Sequence, residues 1–364
     1  MGKVKDHVVG KLFLGFLVFA FSMILFGKKD AYADEVEFEY KITTESDDWF
    51  NYTVKQKVEM LRIDEETLEN MTDEQVVRAV IDYPYILDIY VYGDLETGLR
   101  TVSKYCDALR ELQTRENWKE VFCEYATIFA NEYRENPEIL TPGRYIVLAE
   151  LIYYYSGNAE FFAEYLLDPE QIEEENSEIT ENNMVVTDDN TAIETETEEA
   201  YTLNTETSVP TTPEGSTVQY STPSERHSSA YHAQKDEEFA ADYGVTLIQN
   251  GSCRYNCHSY AWHSTSPSNI YWINDPSVYM TDGSYSDVYN GSISTSTYYC
   301  NASVGDKVYY ASNTHTAIFV DNPANGAPLA SADVESKWGQ LGVFKHDVNN
   351  VPSGYDYSSV SIWH

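Results

Sequence analysis

The chain has 364 residues, of which 60 are Asp or Glu and 23 are Lys or Arg, giving a formal net charge of −37 at pH 7. A surface this acidic repels both nucleic acid and anionic lipid, so DNA, RNA and phospholipid surfaces are excluded as expected partners. The length suits two domains of the usual size, roughly 100 to 200 residues each.

The N-terminus has the pattern of a secretory signal peptide. Lysines precede an uninterrupted apolar run from Leu12 to Phe26, and Ala31-Tyr32-Ala33 has the small-x-small form of a signal peptidase site. The run is about 15 residues long, short of the roughly 20 needed to cross a bilayer core. We therefore expect residues 1–33 to be removed and the mature chain, which would begin at Asp34, to be secreted. An uncleaved membrane anchor is the alternative.

Residues 34–168 are predicted to form an all-α domain. Thr72-Asp73-Glu74-Gln75 has the form of a capping box ahead of apolar positions at helical spacing. Thr141-Pro142 is an N-cap followed by Pro at the first helical position. Between about 169 and 229 the chain turns to Glu, Thr, Ser, Asn and Pro with few apolar residues, which predicts a disordered acidic linker.

The C-terminal segment, 230–364, is rich in Tyr, Trp, Ser and Gly. Helices are predicted at 234–241 and 257–264, followed by strands at 307–310, 316–320 and 342–344. One or two helices preceding a small antiparallel sheet is an α+β pattern.

The five cysteines are an odd number, which in an exported chain leaves at least one thiol without an intramolecular partner. Disulfides from Cys253 to Cys300 and from Cys106 to Cys123 would leave Cys257 free, although geometry rather than sequence decides the pairing. Cys253 and Cys257 lack a second, correctly spaced pair of Cys or His, so we expect no metal and no cofactor.

Cys257 is the candidate nucleophile. Asn256 is a good N-cap, which would place Cys257 in the first turn of a helix, where backbone NH groups and the helix dipole stabilise a thiolate. The alternative is a small apolar residue or a disulfide partner of Cys253. Among the eight histidines, His315 immediately precedes a predicted strand and is the candidate base.

Three motifs together carry a resemblance to a known family. Asn-Cys-x-x-Tyr-Ala at 256–261, Gly-Asp-x-Val-x-Tyr at 305–310 and His-x-Ala-Ile-x-Val at 315–320 are similar to motifs of the NlpC-type and CHAP-type cell-wall peptidases and amidases, small members of the papain-like group. The resemblance covers roughly the final third of the chain. It implies a papain-like fold in which Cys257 attacks an amide carbonyl of peptidoglycan and His315 accepts the thiol proton. Backbone NH groups at the helix start would bind the oxyanion.

The resemblance leaves the third catalytic residue open. In CHAP-type enzymes an acidic residue lies on the strand after the histidine strand, so Glu335 is the first candidate, with Asp333 and Ser336 as alternatives. An ordinary exposed surface charge is an equal interpretation of Glu335. The residue before the cysteine, usually Asp or Gly in the family, is Asn256 here.

Aromatic residues near these motifs are candidates for substrate binding, because aromatic faces suit sugar or peptide stems. They are Tyr255, Trp262 and Trp338, with Trp272 as a further member. Packing in the core is the alternative for each of them.

The helical segment resembles an N-terminal module that precedes such catalytic domains in exported Firmicutes proteins, through Met71–Val80 and Asp82-Tyr83-Pro84. Its partner is unknown, and both a targeting module and a purely structural domain remain open. The whole pattern predicts a cell-wall-associated cysteine hydrolase of a Gram-positive bacterium. The alternatives are a non-catalytic adhesin or binding protein with a degenerate papain-like fold and, more weakly, a secreted protease or transglutaminase-like enzyme acting on proteins.

Overall fold

The computed structural model describes residues 38–167, 209–293, 302–311, 314–321 and 328–364. The predicted signal peptide, most of the predicted linker and Cys300 lie outside these residues. Contacts between Cα atoms group Tyr40–His364 into one compact unit.

The first described segment is helical, as its apolar spacing predicts. Its α-helices are α1 (Val54–Met60), α2 (Glu65–Asn70), α3 (Asp73–Ile81), α4 (Leu95–Val102), α5 (Asp107–Leu112), α6 (Trp118–Glu135) and α7 (Pro142–Ser156). The predicted capping box at α3 is confirmed: the Gln75 backbone NH donates to Thr72 Oγ1 at 3.2 Å, and the Thr72 backbone NH donates to Gln75 Oε1 at 2.9 Å.

The second part of the chain combines helices with one antiparallel sheet, so the α+β prediction is confirmed. Along the sheet the strands run β1-β6-β5-β4-β3-β7-β2, and every pair is antiparallel. The elements in chain order are α8 (Ser229–Tyr243), β1 (Thr246–Gln249), α9 (Cys257–Trp262), α10 (Ser277–Thr281), β2 (Asp287–Ser292), β3 (Lys307–Tyr310), β4 (Thr316–Phe319), β5 (Asp333–Lys337), β6 (Val343–Asp347) and β7 (Ser359–Trp363).

The two faces of the sheet bury different elements. Successive residues of a strand alternate between faces, and cross-strand partners share a face. Ile318 of β4 pairs with Glu335 of β5 and clusters with Trp262 of α9, so this face carries α9. Trp338, just after β5, packs on Phe239 of α8, so the opposite face carries α8.

The helical segment packs against the α8 face through a buried carboxylate. Asp88 is fully buried and accepts hydrogen bonds from the hydroxyls of Tyr105 at 3.0 Å, Tyr243 at 2.7 Å and Ser353 at 2.8 Å. Tyr243 belongs to α8 and Ser353 to the loop before β7. The helical and sheet-bearing segments therefore share one interior.

The start of α7 provides a second contact between the helical and sheet-bearing segments. Helix α7 begins at Pro142, as predicted, but the Thr141 side chain does not cap it. Instead the carboxylate of Glu238, from α8, accepts the Gly143 backbone NH at 2.7 Å and contacts the Thr141 hydroxyl. A distant residue thus replaces the local cap that the sequence predicts.

The end of the predicted linker, residues 209–229, packs against the sheet-bearing segment. Val218 is buried in the cluster around α9, and Ser221 forms an antiparallel bridge with Trp272. Residues 169–208 of the predicted linker lie outside the described residues. Residues 209–229, which the composition assigns to a disordered linker, therefore belong to the sheet-bearing part.

The Asp88 network predicts a large stability effect from one substitution. Asp88→Ala removes the acceptor of three hydroxyls, those of buried Tyr105 and Tyr243 and of half-buried Ser353, so we expect the free energy of unfolding to fall by about 3 kcal/mol or more. Urea denaturation at pH 7 measures it, with exposed Asp47→Ala as the matched control. Equal stability of the two variants would show that the segments do not depend on this contact.

Candidate active site

Asn256 caps the helix that carries the candidate nucleophile. Its Oδ1 accepts the Ser259 backbone NH at 3.1 Å, and its Nδ2 donates to the Ile273 carbonyl at 2.7 Å. Asn256 therefore fixes both the start of α9 and the neighbouring loop. The prediction that Cys257 lies in the first turn of a helix is confirmed, and Cys257 is the first residue of α9.

The Cys257 thiol is buried, with 5% of the residue exposed. Burial raises the pKa of this thiol to about 11, and the backbone NH groups of Thr316 and His258 oppose that shift only in part. Cys257 is therefore a neutral thiol at pH 7. The lowered pKa that we expected at a helix start is not found here, because loss of solvation outweighs the NH groups.

His315 heads a chain of buried hydrogen bonds on the α8 face. Its Nε2 lies 2.8 Å from Ser336 Oγ, and Ser336 Oγ lies 2.7 Å from His346 Nε2. His346 Nδ1 lies 2.8 Å from the Asp347 carbonyl oxygen, which can only accept a hydrogen bond. In neutral His346, Nδ1 therefore carries the proton and Nε2 is the acceptor.

This arrangement determines the tautomer of His315. The single hydroxyl proton of Ser336 goes to His346 Nε2, so Ser336 Oγ accepts from His315 Nε2–H. Ser336 Oγ also accepts from Trp338 Nε1 at 2.7 Å. His315 Nδ1 is left with a lone pair, and it has no hydrogen-bond partner among the described residues. An imidazole held in this tautomer has the form of a general base.

Burial lowers the pKa of His315 well below its ordinary value, and the nearby His346 and His258 act in the same direction. The ring of Tyr355 stacks on His315 with centroids 4.6 Å apart. Burial raises the pKa of Tyr355, and the charge of a Cys257 thiolate adds to that rise. The Cys257 thiol contacts the backbone NH of Thr316, the residue that follows His315, so it lies beside the start of β4.

The thiol and the imidazole are nevertheless not hydrogen-bonded to each other. Helix α9 contacts the Thr316 side chain, through His258 Nδ1 at 2.7 Å and Trp262 Nε1 at 3.3 Å. His315 precedes Thr316 and points to the Ser336 face instead. Transfer of the thiol proton to His315 Nδ1 would therefore require the imidazole or the start of α9 to move, because the ring is turned to the Ser336 face.

Glu335, the first candidate for the third residue, does not approach His315. Glu335 lies on the α9 face, where its Oε2 accepts from Tyr260 OH at 3.3 Å. Asp333 lies two residues before Glu335, on the same face of β5, and forms an ion pair with Lys345 at 2.9 Å. Ser336, the other alternative, is the residue that contacts His315. Ser336 therefore replaces Glu335 as the candidate third residue.

The three candidate substrate-binding aromatics are core residues. Tyr255 and Trp338 are fully buried and Trp262 is 4% exposed. The Trp262 ring stacks on the Tyr279 ring with centroids 5.6 Å apart, and the Trp338 indole NH donates a hydrogen bond to Ser336 Oγ. Their side chains are not available to a substrate in this conformation, so the packing interpretation replaces the cleft interpretation.

The described cysteines are all free thiols: Cys106, Cys123, Cys253 and Cys257. The expected Cys106–Cys123 disulfide is therefore absent from the structure. Cys300, the expected partner of Cys253, lies outside the described residues.

Sequence reasoning missed His346 and Tyr355. The motifs end at Val320, and neither residue belongs to a motif of its own. A usable signal was the alternation in Val343–Asp347, which puts His346 and Phe344 on the same buried face of β6.

Comparison of the chain with protein-family models, with curated proteins and with solved structures found no match. Within the described residues, no helix has the length and apolarity needed to cross a membrane. The chain is an α+β protein, and its activity is a matter of proposal.

The raised pKa of Cys257 predicts how its alkylation depends on pH. Only the thiolate reacts, so the rate of Cys257 labelling by iodoacetamide should rise about tenfold per pH unit from pH 7 to pH 9. Peptide mass analysis of timed samples measures this slope, with the less buried Cys123 as an internal reference. A rate already level at neutral pH would instead indicate a preformed thiolate.

Proposed function

We propose that this chain is an exported cysteine hydrolase that cleaves amide bonds, with a papain-like C-terminal domain. The observation that carries the proposal is the hydrogen-bond chain from His346 through Ser336 to His315, which leaves the His315 Nδ1 lone pair buried and without a partner. A buried acceptor without a donor is costly, and a thiol proton from nearby Cys257 would satisfy it. The three motifs at 256–261, 305–310 and 315–320 support the same assignment.

The proposed reaction uses the two neutral groups in turn. His315 Nδ1 takes the Cys257 proton as the sulfur attacks the amide carbonyl, and the resulting imidazolium gives that proton to the leaving amine. A thioester to Cys257 remains. Water then attacks the thioester with His315 as base, releasing the carboxylic acid and restoring the thiol. Throughout, His315 Nε2–H donates to Ser336, which keeps the imidazole in the required tautomer.

The proposed substrate is peptidoglycan, cleaved in its stem peptide or at the N-acetylmuramoyl amide, and the proposed location is the cell wall of a Gram-positive bacterium. The support is the motif resemblance together with the signal-peptide pattern of residues 1–33. The role of the helical segment includes completing the fold, because its Asp88 binds residues of the sheet-bearing segment.

Purified cell walls test the substrate class. The mature chain should release soluble muropeptides whose masses reveal one new amine and one new carboxyl group per cleavage, and casein should remain intact. The Cys257→Ala chain is the matched control. Cleavage of casein with intact cell walls would instead favour the secreted-protease alternative.

A non-catalytic binding protein is the second candidate. The observations that favour it are the buried thiol with its raised pKa and the burial of Tyr255, Trp262 and Trp338. On this account the chain would bind cell walls without releasing fragments, and Cys257→Ala would bind equally well. A pull-down with insoluble cell walls, combined with the fragment analysis, separates the two functions.

Export predicts a defined mature N-terminus. Signal peptidase should cut after Ala33, so the secreted chain should begin at Asp34 within a residue or two. Intact-mass analysis of protein from the culture medium measures this terminus. A secreted chain that kept residues 1–33 would favour the uncleaved anchor.

A further inference from the structure

A second cluster of reactive side chains lies outside the hydrogen-bond chain of His315. Among the described residues, Glu225, His227, His232 and Cys253 bring one ligand atom each within 4.8 Å of one another. Cys253 is 6% exposed, and the side chains of the other three are at most 10% exposed. The cluster is therefore an enclosed site with four donors.

The distance between Cys253 and His227 suits a small divalent cation, and the distance between His232 and Glu225 is slightly shorter than such an ion requires. Cys253 Sγ lies 3.4 Å from His227 Nδ1, and His232 Nε2 lies 3.1 Å from Glu225 Oε1. Bonds of about 2.0 to 2.3 Å at tetrahedral angles separate ligand atoms by roughly 3.3 to 3.7 Å. One thiolate, two imidazoles and one carboxylate are ligands that zinc accepts. Cys253 Sγ also lies 3.4 Å from Gln340 Oε1, which the neutral thiol can use as an acceptor.

The neighbours of the cluster support its ligands. The Cys253 backbone NH donates to Glu225 Oε2 at 3.0 Å, and the backbone NH groups of Arg226 and His227 donate to Oε1 at 3.0 and 3.2 Å, so backbone groups fix the position of this carboxylate. The second ring nitrogen of His227 lies 3.9 Å from Glu150 Oε1, an acidic neighbour beyond hydrogen-bond distance.

His232 has one ring nitrogen, Nε2, inside the cluster and the other, Nδ1, outside it. Its Nδ1 is buried with no hydrogen-bond partner among the described residues. A Cβ placed on Gly251 would lie 2.9 Å from this Nδ1 and 3.0 Å from Asp236 Oδ2, so the ring and the carboxylate flank the same glycine. An ion on Nε2 would place the proton on Nδ1, beside that carboxylate.

Charged side chains of both signs surround the cluster. Glu150, Glu225 and Asp236 supply carboxylates, Lys235 and Lys337 supply ammonium groups, and Arg226 adds a guanidinium group. Lys235 Nζ has no hydrogen-bond partner among the described residues and lies over the rings of Tyr90 and Tyr231, so it does not neutralise the cluster by direct contact.

We propose that Cys253, His227, His232 and Glu225 bind a structural zinc ion. All four coordination positions come from the protein, so the ion has no open site for substrate. Binding releases the Cys253 thiol proton to solvent and forms four metal–ligand bonds. The ion joins the segment before α8, α8 itself and the loop that leads to Cys257. The pattern is Glu-x-His-x4-His followed by a distant single Cys, and this is why a search for paired cysteines predicts no metal.

Metal content of the full mature chain tests the proposal, independently of any hydrolase activity. Protein stripped with a chelator, reloaded with Zn²⁺ and dialysed should retain about one zinc per chain by elemental mass spectrometry. Cys253→Ser and His232→Gln should each lose most of it, whereas Cys123→Ala, outside the site, should retain it. The zinc-loaded chain should also melt at a higher temperature than the stripped chain.

Reloading the stripped wild-type chain with Co²⁺ gives a readout that does not depend on the folding of any variant. A thiolate-to-cobalt charge-transfer band with the intense visible bands of tetrahedral Co²⁺ is the expected spectrum. A folded wild-type chain that retains neither metal, or that binds Co²⁺ without the thiolate band, would overturn the proposal. So would full zinc retention in folded Cys253→Ser.

Discussion

Cys257→Ala and His315→Ala are each expected to reduce amide hydrolysis by at least about 1,000-fold while leaving the chain folded. The physical reason is that neither residue can act alone. The pKa of Cys257 is about 11, so almost no thiolate exists at pH 7 unless a base removes the proton during attack. His315 Nδ1 is the nearby lone pair, and without the thiol it has no nucleophile to activate.

Fragment release from cell walls, followed by chromatography, measures both variants and their combination. The double variant should be no slower than either single variant, because the two residues act as one unit. His258→Ala is the informative comparison, since His258 is the neighbour of Cys257 and contacts Thr316 rather than Ser336. Normal turnover in His315→Ala together with loss in His258→Ala would move the base to His258.

Ser336→Ala is expected to have the second largest effect, on both stability and rate. Its hydroxyl contacts His315, His346 and the Trp338 indole, all of them buried, so its removal leaves three groups without their partner. We expect the free energy of unfolding to fall by about 2 to 4 kcal/mol. The rate should fall roughly 10- to 100-fold, because His315 is no longer held in the Nε2–H tautomer.

Glu335→Gln is the matched control for Ser336→Ala, since it alters the adjacent residue of β5 on the opposite face. Glu335→Gln should change neither the free energy of unfolding nor the rate of hydrolysis greatly, because the Tyr260 hydroxyl can also donate to the amide oxygen of Gln. Thermal melts and the rates of folded protein below the melting temperature separate stability from catalysis. A rate loss in Glu335→Gln with a normal rate in Ser336→Ala would return Glu335 to the role that the family resemblance implies.

The features that the sequence predicts correctly depend on local interactions. The capping box at Thr72 and the N-cap at Asn256 each join atoms within three residues, so chain neighbours alone determine them. The helices of the first segment and the strands around His315 follow from apolar spacing in the same way. These patterns are enough to establish an α+β chain and to place Cys257 at a helix start.

The features that the sequence misses depend on residues far apart in the chain. Choosing between Glu335 and Ser336 requires the register of β4 against β5, because a shift of one residue exchanges the two faces. The Glu238 cap on α7 joins residues 95 apart, and the Cys253 contact with His227 joins residues 26 apart. Burial of Trp338 depends on packing against Phe239 and Phe344, which no local pattern encodes.

Capture of the covalent intermediate tests the central claim most directly. The mature chain is mixed with purified muropeptides, and the reaction is quenched in acid within the first turnover. The intact mass of the protein is then measured, followed by peptide mapping. The account predicts an added mass equal to the acyl part of the substrate, located on Cys257 and absent from Cys257→Ala. Undiminished fragment release by folded Cys257→Ala, or an acyl group on a residue other than Cys257, would contradict it.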